Sequence, residues 1–404
     1  MGIIPKDMNQ AVLICFLTAT ALLLAEQDWP AHRGTERDGV YKGDSRPTPS
    51  WRVHWKVPVG NGYAGVSIAA GKVFTIEQRK KQEVAAAYDL ATGKVLWLNS
   101  WDADFNSFLG GDGPRSTPTF DAGVVYCQGA QGELRALDAT TGRLIWRHNI
   151  LQENGGKAAP YGVSVSPLIA GNLLITHAGG KNAKSIVAYE KTTGKLAWGA
   201  LGDDPAYASP MLVTLNGIQQ ALAMTATRTV GLDPAKGTLL WEFPWATSYD
   251  VNAAQPVLIG NDRMLISSGY GHGAALIEVK NGKAITIWEN KLLKNKFNSS
   301  VYFNGFVYGL DENILSCIDV ATGQRKWKGG RYGYGQVALL AKQGQLLITA
   351  ESGEVALVKA DPAQFQELSK AQILRDKTWN QPALAEGKLV VRNQKEMACV
   401  SLLD

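Results

Sequence analysis

The chain has 404 residues, of which 45% are hydrophobic and 12 are tryptophan. Its 41 basic and 36 acidic residues leave a formal net charge of +5, which is mild for this length. Because the basic clusters at 79–81 and 291–296 fall at predicted turns, the charge indicates solubility and argues against a nucleic-acid partner.

The N-terminus has the pattern of a secretory signal. Lys6 precedes an apolar run over residues 11–24, and Ala25 is followed by polar residues. The run is shorter than a membrane-spanning helix requires, so residues 1–25 are predicted to be a signal peptide cleaved after Ala25. The mature chain would then be periplasmic or secreted and would have no transmembrane segment.

Two segments precede the first repeat. Residues 26–50 are polar and rich in glycine and proline without strand periodicity, so they are predicted to form a lead-in segment that lies over the surface or is partly mobile. Residues 51–59, WRVHWKVPV, alternate as a strand does and include Trp55.

From residue 87 onward one segment returns in matching register, and residues 136–146 (ALDATTGRLIW) are a clear copy. An alternating apolar strand ends in Asp or Glu, whose carboxylate can accept hydrogen bonds from the following turn amides. Glycine comes four residues later, where a hairpin turn needs positive φ, and a tryptophan lies in the next strand. Each copy therefore predicts a β-hairpin whose tryptophan packs against the neighbouring repeat. The six copies end at Trp97, Trp146, Trp198, Trp241, Trp288 and Trp327.

The acidic end of the hairpin, or its equivalent, recurs every 40–52 residues from Asp89 to Ser401, the spacing of a four-stranded blade. The sequence thus predicts an all-β fold, an eight-bladed β-propeller of four-stranded antiparallel blades, over residues 51–404. Each blade opens with a short apolar strand, often after proline, which is permitted at an edge that faces a central channel.

Two blades are expected to depart from this pattern. No tryptophan strand follows Ser401, so the N-terminal strand with Trp55 is predicted to supply the outer strand of the last blade and to close the ring. In the seventh blade, Asp361 and Pro362 predict a short helix in place of the usual hairpin.

The repeated form A-x-D-x-x-T-G-x-x-x-W resembles the tryptophan-docking repeats of the pyrroloquinoline-quinone (PQQ) type β-propellers, and the resemblance covers residues 29–404. That superfamily includes the quinoprotein alcohol dehydrogenases, the propeller lipoprotein of the outer-membrane β-barrel assembly machinery and many secreted PQQ-like repeat proteins. The lead-in WPAHRGTERDG is similar to the last group. The resemblance implies that Trp55 and the six hairpin tryptophans are docking residues.

The resemblance also bears on cofactors. In the dehydrogenases a pair of adjacent cysteines lies under the quinone, and carboxylates and an amide hold a calcium ion. This sequence has no adjacent cysteines and no matching carboxylate motif. No cofactor is therefore expected, and PQQ with calcium is kept as the alternative.

No familiar catalytic pattern is present in the sequence. Cys127, Cys317 and Cys399 fall in predicted strands of different repeats and are expected to be buried free thiols. The five histidines show no ligand spacing, and HExxH, GxSxG and SxxK do not occur. No catalytic residue and no metal site are predicted.

The remaining candidate site follows from position in the fold. Loops that enter the innermost strands gather around one mouth of the channel, and their aromatic and hydrogen-bonding side chains suit a ligand pocket. The alternative is that these side chains merely plug the channel. The candidate residues are Tyr63, Arg115, Tyr161, Tyr207, Asn252, Asn298, Tyr334 and Trp379.

These patterns favour an exported, non-catalytic binding or scaffold propeller that holds a protein partner or a small ligand at the channel mouth or on an outer face. Two alternatives stay open. One is a PQQ-dependent quinoprotein oxidoreductase with an atypical site, and the other is a component of outer-membrane protein assembly.

Overall fold

The computed structural model describes residues 28–46 and 51–403, so the predicted signal peptide lies outside the described residues. Two strands precede the first blade, β1 (Val40–Tyr41) and β2 (Val53–Pro58). The strands form eight sheets, each built on four strands; β2 completes the last of them, and β1 adds a fifth strand to another. The predicted eight-bladed, four-stranded antiparallel propeller is confirmed.

The first four blades follow the repeat in order, from innermost to outermost strand. Blade 1 contains β3 (Ser67–Ala69), β4 (Lys72–Arg79), β5 (Gln82–Asp89) and β6 (Val95–Asp102). Blade 2 contains β7 (Thr119–Asp121), β8 (Val124–Gln128), β9 (Glu133–Asp138) and β10 (Leu144–Asn149). Blade 3 contains β11 (Leu168–Ala170), β12 (Leu173–Gly180), β13 (Lys184–Glu190) and β14 (Leu196–Ala200). Blade 4 contains β15 (Met211–Leu215), β16 (Ile218–Met224), β17 (Arg228–Leu232) and β18 (Leu239–Pro244).

The remaining blades keep this order. Blade 5 contains β19 (Val257–Ile259), β20 (Arg263–Ser268), β21 (Gly273–Lys280) and β22 (Lys283–Asn290). Blade 6 contains β23 (Val301–Phe303), β24 (Phe306–Asp311), β25 (Ile314–Asp319) and β26 (Arg325–Arg331). Blade 7 contains β27 (Gln336–Leu340), β28 (Gln345–Thr349), β29 (Glu354–Lys359) and β30 (Glu367–Gln372). Blade 8 contains β31 (Ala383–Ala385), β32 (Lys388–Arg392) and β33 (Glu396–Ser401), and β2 completes it.

The ring closes as predicted, because β2 pairs antiparallel with β33 and sets Trp55 opposite Cys399. The Trp55 indole crosses to blade 1, where its Nε1–H donates to the Leu90 carbonyl oxygen at 2.8 Å. Joining the two ends of the chain in one sheet leaves the ring without a gap between its first and last blades.

The hairpin of blade 2 shows why the repeated residues recur. Asp138 Oδ1 accepts hydrogen bonds from the backbone N–H groups of Thr140 and Thr141 and from the Thr141 hydroxyl. The turn then reaches Gly142, whose φ is +72°. Trp97 of blade 1 lies against Gly142, and its Nε1–H donates to the Ala139 carbonyl oxygen at 3.1 Å. One turn therefore caps its own strand and accepts the tryptophan of the preceding blade.

The predicted helix in blade 7 is wrong. Residues 361–366 form bends and irregular chain, and β30 follows as an ordinary outer strand. Asp361 Oδ1 does accept the Ala363 N–H, as a cap would. Phe365, however, packs edge-on against the Trp327 ring at 5.7 Å between centroids, and this contact with blade 6 replaces helix formation.

A short helix that the sequence did not predict, α1 (Ile150–Asn154), connects blades 2 and 3. Asn149 caps it by accepting the Gln152 N–H, and Gly155 ends it at positive φ. Five residues are too few to show helical periodicity in the sequence.

The surface position predicted for the lead-in is also wrong for its described part, residues 28–46. Trp29, Arg33 and Arg37 are each 3% exposed. Trp29 pairs with Ile68 of β3, and β1 pairs parallel with β27 as a fifth strand of blade 7. The segment therefore crosses the channel. The polar sequence did not predict this burial, because the arginine guanidinium groups donate hydrogen bonds mainly to backbone oxygens rather than to solvent.

Arg37 is the centre of this channel plug. Its guanidinium donates to the carbonyl oxygens of Ser166, Pro167 and Pro210 and to the Thr119 hydroxyl. Burial lowers the pKa of Arg37 to about 9, so the side chain is still largely protonated at neutral pH. One cation thus ties the lead-in to the innermost strands of blades 2, 3 and 4, and it separates a cavity at the channel mouth from one at the other end of those strands.

Candidate functional site

The cavity at the channel mouth has a volume of about 300 Å³. Most of its walls come from loops that precede innermost strands, with Tyr270 from the turn between β20 and β21 and His32 from the lead-in, and the structure brings six of the eight predicted residues together there. These are Tyr63, Arg115, Tyr161, Tyr207, Tyr334 and Trp379.

Asn252 and Asn298 do not line this cavity. Both are fully buried. Asn252 Nδ2 donates to the carbonyl oxygens of Thr225, Ala226 and Trp245, so its amide holds the loop between blades 4 and 5. A position in the loop before an inner strand is therefore not sufficient for a side chain to reach the channel.

Four rings form a continuous arc along one side of the cavity. The centroids of Tyr63 and Trp379 are 4.9 Å apart, as are those of Trp379 and Phe297, and Tyr334 lies 5.8 Å from Phe297. Glu351, behind this wall, accepts the Trp379 Nε1–H at 2.9 Å and the Tyr334 backbone N–H at 3.1 Å. The two rings are thus fixed from behind while their faces stay available to the cavity.

Lys296 brings a positive charge to the same wall. Its ammonium donates to the Tyr334 hydroxyl at 3.0 Å, lies 3.3 Å from the Glu312 carboxylate and sits 4.9 Å from the centre of the Tyr270 ring. Burial acts to lower the pKa of Lys296, but the hydrogen bond to Tyr334 and the charge of Glu312 outweigh it and raise that pKa. The lysine is therefore protonated at neutral pH.

Arg115 supplies the second cation. It is held inside its own loop, where it donates to the carbonyl oxygens of Gly110, Gly111 and Gly113 at 2.7–2.8 Å. Burial lowers its pKa to about 10, which leaves it charged at neutral pH. Because its guanidinium already donates these three hydrogen bonds to the loop, Arg115 contributes to the cavity mainly through its charge and its shape.

A girdle of polar residues forms the floor of the cavity. Thr117 and Ser209 each directly precede the proline of a blade opening. Ser166 links them, because the Thr117 N–H donates to the Ser166 hydroxyl and the Ser166 N–H donates to the Ser209 hydroxyl, both at 2.9 Å. His32 of the lead-in closes the floor, with Nδ1 3.2 Å from the Thr117 hydroxyl. Burial and the charges of Arg37 and Arg33 lower the pKa of His32 well below its usual value, so it is neutral.

Sequence reasoning missed five of these groups: Tyr270, Lys296, Phe297, His32 and the polar girdle. The girdle had a signal, because the residue before each blade's opening proline is Thr, Ser or Gln in five blades. Lys296 and Phe297 immediately precede Asn298, so the sequence predicted the loop but not the side chains of that loop that face the cavity. His272, which lies in a glycine-rich stretch of the sequence, packs edge-on against Trp245 at 4.4 Å and does not line the cavity.

The lining of the cavity contains aromatic, basic and hydroxyl side chains. No Asp, Glu or Cys among the described residues lines the cavity. Within residues 28–46 and 51–403, no group of three or more His, Cys, Asp or Glu side chains is placed to hold a metal ion. Cys127, Cys317 and Cys399 are buried free thiols in β8, β25 and β33, and burial raises the pKa of each to about 12.

The PQQ_2 family model, described as outer membrane protein assembly factor BamB, matches this chain over residues 48–158 and 80–329. The chain belongs to the PQQ-like repeat family. Among curated relatives of this PQQ-like propeller, BamB of Yersinia pestis is 24% identical over 313 residues, which is 72% of the chain and 70% of the relative. The crystal structure of BamB from Moraxella catarrhalis has the same fold, with a TM-score of 0.63 and 16% identity over 87% of this chain and 97% of that one.

The PQQ-like propeller also matches the dehydrogenase subunit of a quinone alcohol dehydrogenase from Komagataeibacter europaeus, at 35% identity over 121 residues. That match covers 28% of this chain and only 16% of the relative's length. In the described part of the PQQ-like propeller, no helix combines the length and the apolar character needed to span a membrane.

Proposed function

We propose that this chain is an exported binding and scaffold propeller that holds a ligand or a protein partner at the channel mouth and does not itself catalyse a reaction. The lining of the mouth cavity carries the proposal. Aromatic faces and two protonated side chains favour a planar or acidic group, and no carboxylate or thiol among the described residues lines the cavity to act as a nucleophile.

The rim of the cavity supports a protein partner. Phe108 is 103% exposed and Leu109 75%, and Leu109 also lines the cavity. Tyr249 is 72% exposed and packs edge-on against Tyr270, another lining residue. Exposed aromatic and aliphatic side chains clustered around a pocket are typical of protein-interaction sites. The extent of the match to BamB, 70% of that relative against 16% of the dehydrogenase subunit, supports a scaffold role such as outer-membrane protein assembly.

The oxidoreductase alternative requires the cavity to accept PQQ and calcium. The aromatic arc and Lys296 suit a planar anion. Calcium takes six to eight oxygen ligands and usually several carboxylates, and no carboxylate among the described residues lines the cavity. The donor set therefore does not fit the calcium-bound quinone, and no reaction is assigned to it.

A thermal-shift titration with PQQ, with and without calcium, separates the small-ligand hypotheses, because a ligand that binds only the folded chain raises its melting temperature. For a binding site in the arc we expect a saturable, calcium-independent rise that is lost in Trp379→Ala and Lys296→Met. Lys291→Met is the matched control, since Lys291 is exposed and outside the lining. A calcium-dependent rise accompanied by alcohol oxidation would instead establish the dehydrogenase alternative.

The protein-partner arm uses a photo-crosslinking amino acid placed at Phe108 in the exporting cell. We expect a discrete crosslinked protein at this position and none with the crosslinker at Lys236, an exposed turn residue remote from the mouth lining. If PQQ produces no shift and Phe108 produces no crosslink beyond that of Lys236, the channel mouth is not the binding site.

A further inference from the structure

The second cavity lies at the other end of the innermost strands and has a volume of about 710 Å³. Arg37 and other residues of the lead-in form one wall, and the innermost strands of blades 2 to 6 form the rest. The mouth cavity is walled by side chains of loops. This lower cavity is instead walled by innermost strands, each of which pairs with the next strand of its own blade on one side only.

In blades 1 to 7, one residue of the innermost strand directs its backbone amide away from the next strand of its own blade and towards the channel. In three blades the lead-in supplies the acceptor. The amides of Ile68, Phe120 and Leu339 donate to the carbonyl oxygens of Trp29, Pro30 and Gly39 at 2.7–2.8 Å. The lead-in therefore already pairs with blades 1, 2 and 7 as an extended strand would.

The equivalent residues of blades 3 to 6 are Ile169, Leu212, Leu258 and Tyr302. All four line the lower cavity and are half-buried. Ile169, Leu258 and Tyr302 occupy the same register in their hairpins as Ile68, one residue before the pair that flanks the turn. Leu212 lies three residues before that pair, so its amide is on the same edge of its strand. Among residues 28–46 and 51–403, no acceptor reaches these four amides. The lead-in thus pairs with the strand edges of three blades, and the edges of these four blades are open.

We propose that the lower cavity binds an extended peptide segment of another protein, apolar at its centre, which pairs with the open edges of blades 3 to 6 as the lead-in pairs with the other side. An exposed row of strand amides is a template for strand addition. Strand β15 is the longest of these edges, and a five-residue segment spans about 16 Å beside it.

Two of the charged groups that line the cavity, Arg37 and Asp121, already have partners. Arg37 is saturated by four oxygen acceptors, and Asp121 is paired with Lys191 at 2.6 Å. The side chains of Leu168, Leu212 and Val257 face the cavity together with the open edges. Backbone pairing together with apolar contacts is therefore the proposed mode of recognition.

The test uses a fluorescently labelled synthetic peptide with the sequence of residues 38–42, the lead-in stretch that contains β1. Fluorescence anisotropy of this peptide with the folded chain should rise to saturation and should be reversed by unlabelled peptide. Leu212→Pro removes one open amide at an edge where proline is tolerated, and Leu212→Ala removes the same side chain but keeps the amide. We expect the proline variant to bind at least about tenfold more weakly than the alanine variant.

Two further measurements keep the test decisive. Peptide N-methylated at its tyrosine should bind as weakly as Leu212→Pro does. Should that variant not fold, Thr214→Trp fills the cavity from an exposed lining residue and should block binding. Absence of saturation with the native chain, or equal affinity in folded Leu212→Pro and Leu212→Ala, would overturn the proposal. Because Leu212 lies outside the mouth lining, the PQQ and Phe108 experiments are unaffected by either result.

Discussion

The junction between blades 1 and 2 and the junction between blades 4 and 5 solve the same packing problem differently. At the first, the Trp97 ring lies on Gly142 of blade 2 and its Nε1–H donates to a backbone carbonyl oxygen there. At the second, the Trp241 Nε1–H donates to Gln220 Oε1 within blade 4, and space beside Gly282 of blade 5 is nearly empty. The repeated tryptophan therefore docks only where the next turn can accept it.

The shape of the turn explains the difference. In blade 2 a four-residue step from Asp138 to Gly142 makes a compact turn whose carbonyl faces the preceding blade. In blade 5, β21 and β22 continue to a two-residue turn, Asn281-Gly282, with both φ values positive. This is an ordinary tight hairpin. The same acid-to-glycine spacing thus produces two turns, and the sequence distinguishes them by the Asn281-Gly282 dipeptide and by the longer glycine-to-tryptophan distance.

Alanine at the two glycines gives the largest expected contrast. Gly142 and Gly282 have φ of +72° and +70°, so each substitution incurs a similar backbone cost of about 1–2 kcal/mol. A Cβ at Gly142 would also meet the Trp97 ring at 2.6 Å, whereas at Gly282 the nearest atom is the Leu240 oxygen at 3.5 Å. We expect Gly142→Ala to lower the free energy of unfolding by about 4 kcal/mol and Gly282→Ala by about 1 kcal/mol, measured by denaturant titration. Equal losses would show that Trp97 yields freely and does not hold the junction.

The periodic part of the molecule was predictable because one local device determines it. The hairpin, the blade count and the closing strand all follow from alternation, turn residues and a tryptophan at fixed spacing. The lead-in was not predictable in this way. Arg37 folds inward because oxygen acceptors of three blades converge on it, namely three carbonyl oxygens and the Thr119 hydroxyl, and those acceptors are 82 to 173 residues away in the chain. Such long-range acceptors leave no local pattern in the sequence.

The candidate site is intermediate between these cases. Its location followed from the topology of a propeller, and six of the predicted residues line the mouth cavity. Which side chain of a loop faces the cavity depends on that loop's own hydrogen bonds, and this decided between Asn298 and its neighbours Lys296 and Phe297. Their binding role remains a prediction until a ligand is tested.

A titration distinguishes the same two junctions with a smaller effect. Buried Glu83 of blade 1 accepts the Trp101 Nε1–H and, across the junction, the Ala130 N–H. At the blade 4 and 5 junction, the equivalent Trp245 donates to the neutral Ser268 hydroxyl. Burial raises the pKa of Glu83 from 4.5 to about 7. Only the first junction should therefore respond to pH near neutrality.

The sign follows from proton binding. Between pH 4.5 and about 7, Glu83 is protonated in the folded chain and ionised in the unfolded chain, so stability is full at low pH and falls as pH rises. The stability lost through Glu83 as pH rises reaches about 3 kcal/mol, at about 1.4 kcal/mol per pKa unit. Denaturant titrations from about pH 5 to about pH 8 should show a shallower decline in Glu83→Gln than in the native chain. Ser268→Ala should keep the native slope, and a slope unchanged in Glu83→Gln would mean that Glu83 is ionised throughout.

The smallest contrast is expected when the two indole N–H groups are removed. Trp97→Phe keeps most of the ring contact with Gly142 but leaves the Ala139 carbonyl oxygen of blade 2 without its donor. Trp241→Phe leaves Gln220 Oε1 of blade 4 in the same condition. Each loses one hydrogen bond, so both should be destabilised by about 1 kcal/mol and global stability will not separate them. Hydrogen exchange will, because Trp97→Phe should reduce amide protection in the turn of blade 2, whereas Trp241→Phe should reduce it only within blade 4. Reduced protection in the turn of blade 5 upon Trp241→Phe would mean that this tryptophan also supports the next blade, and the two junctions would then differ in geometry but not in coupling.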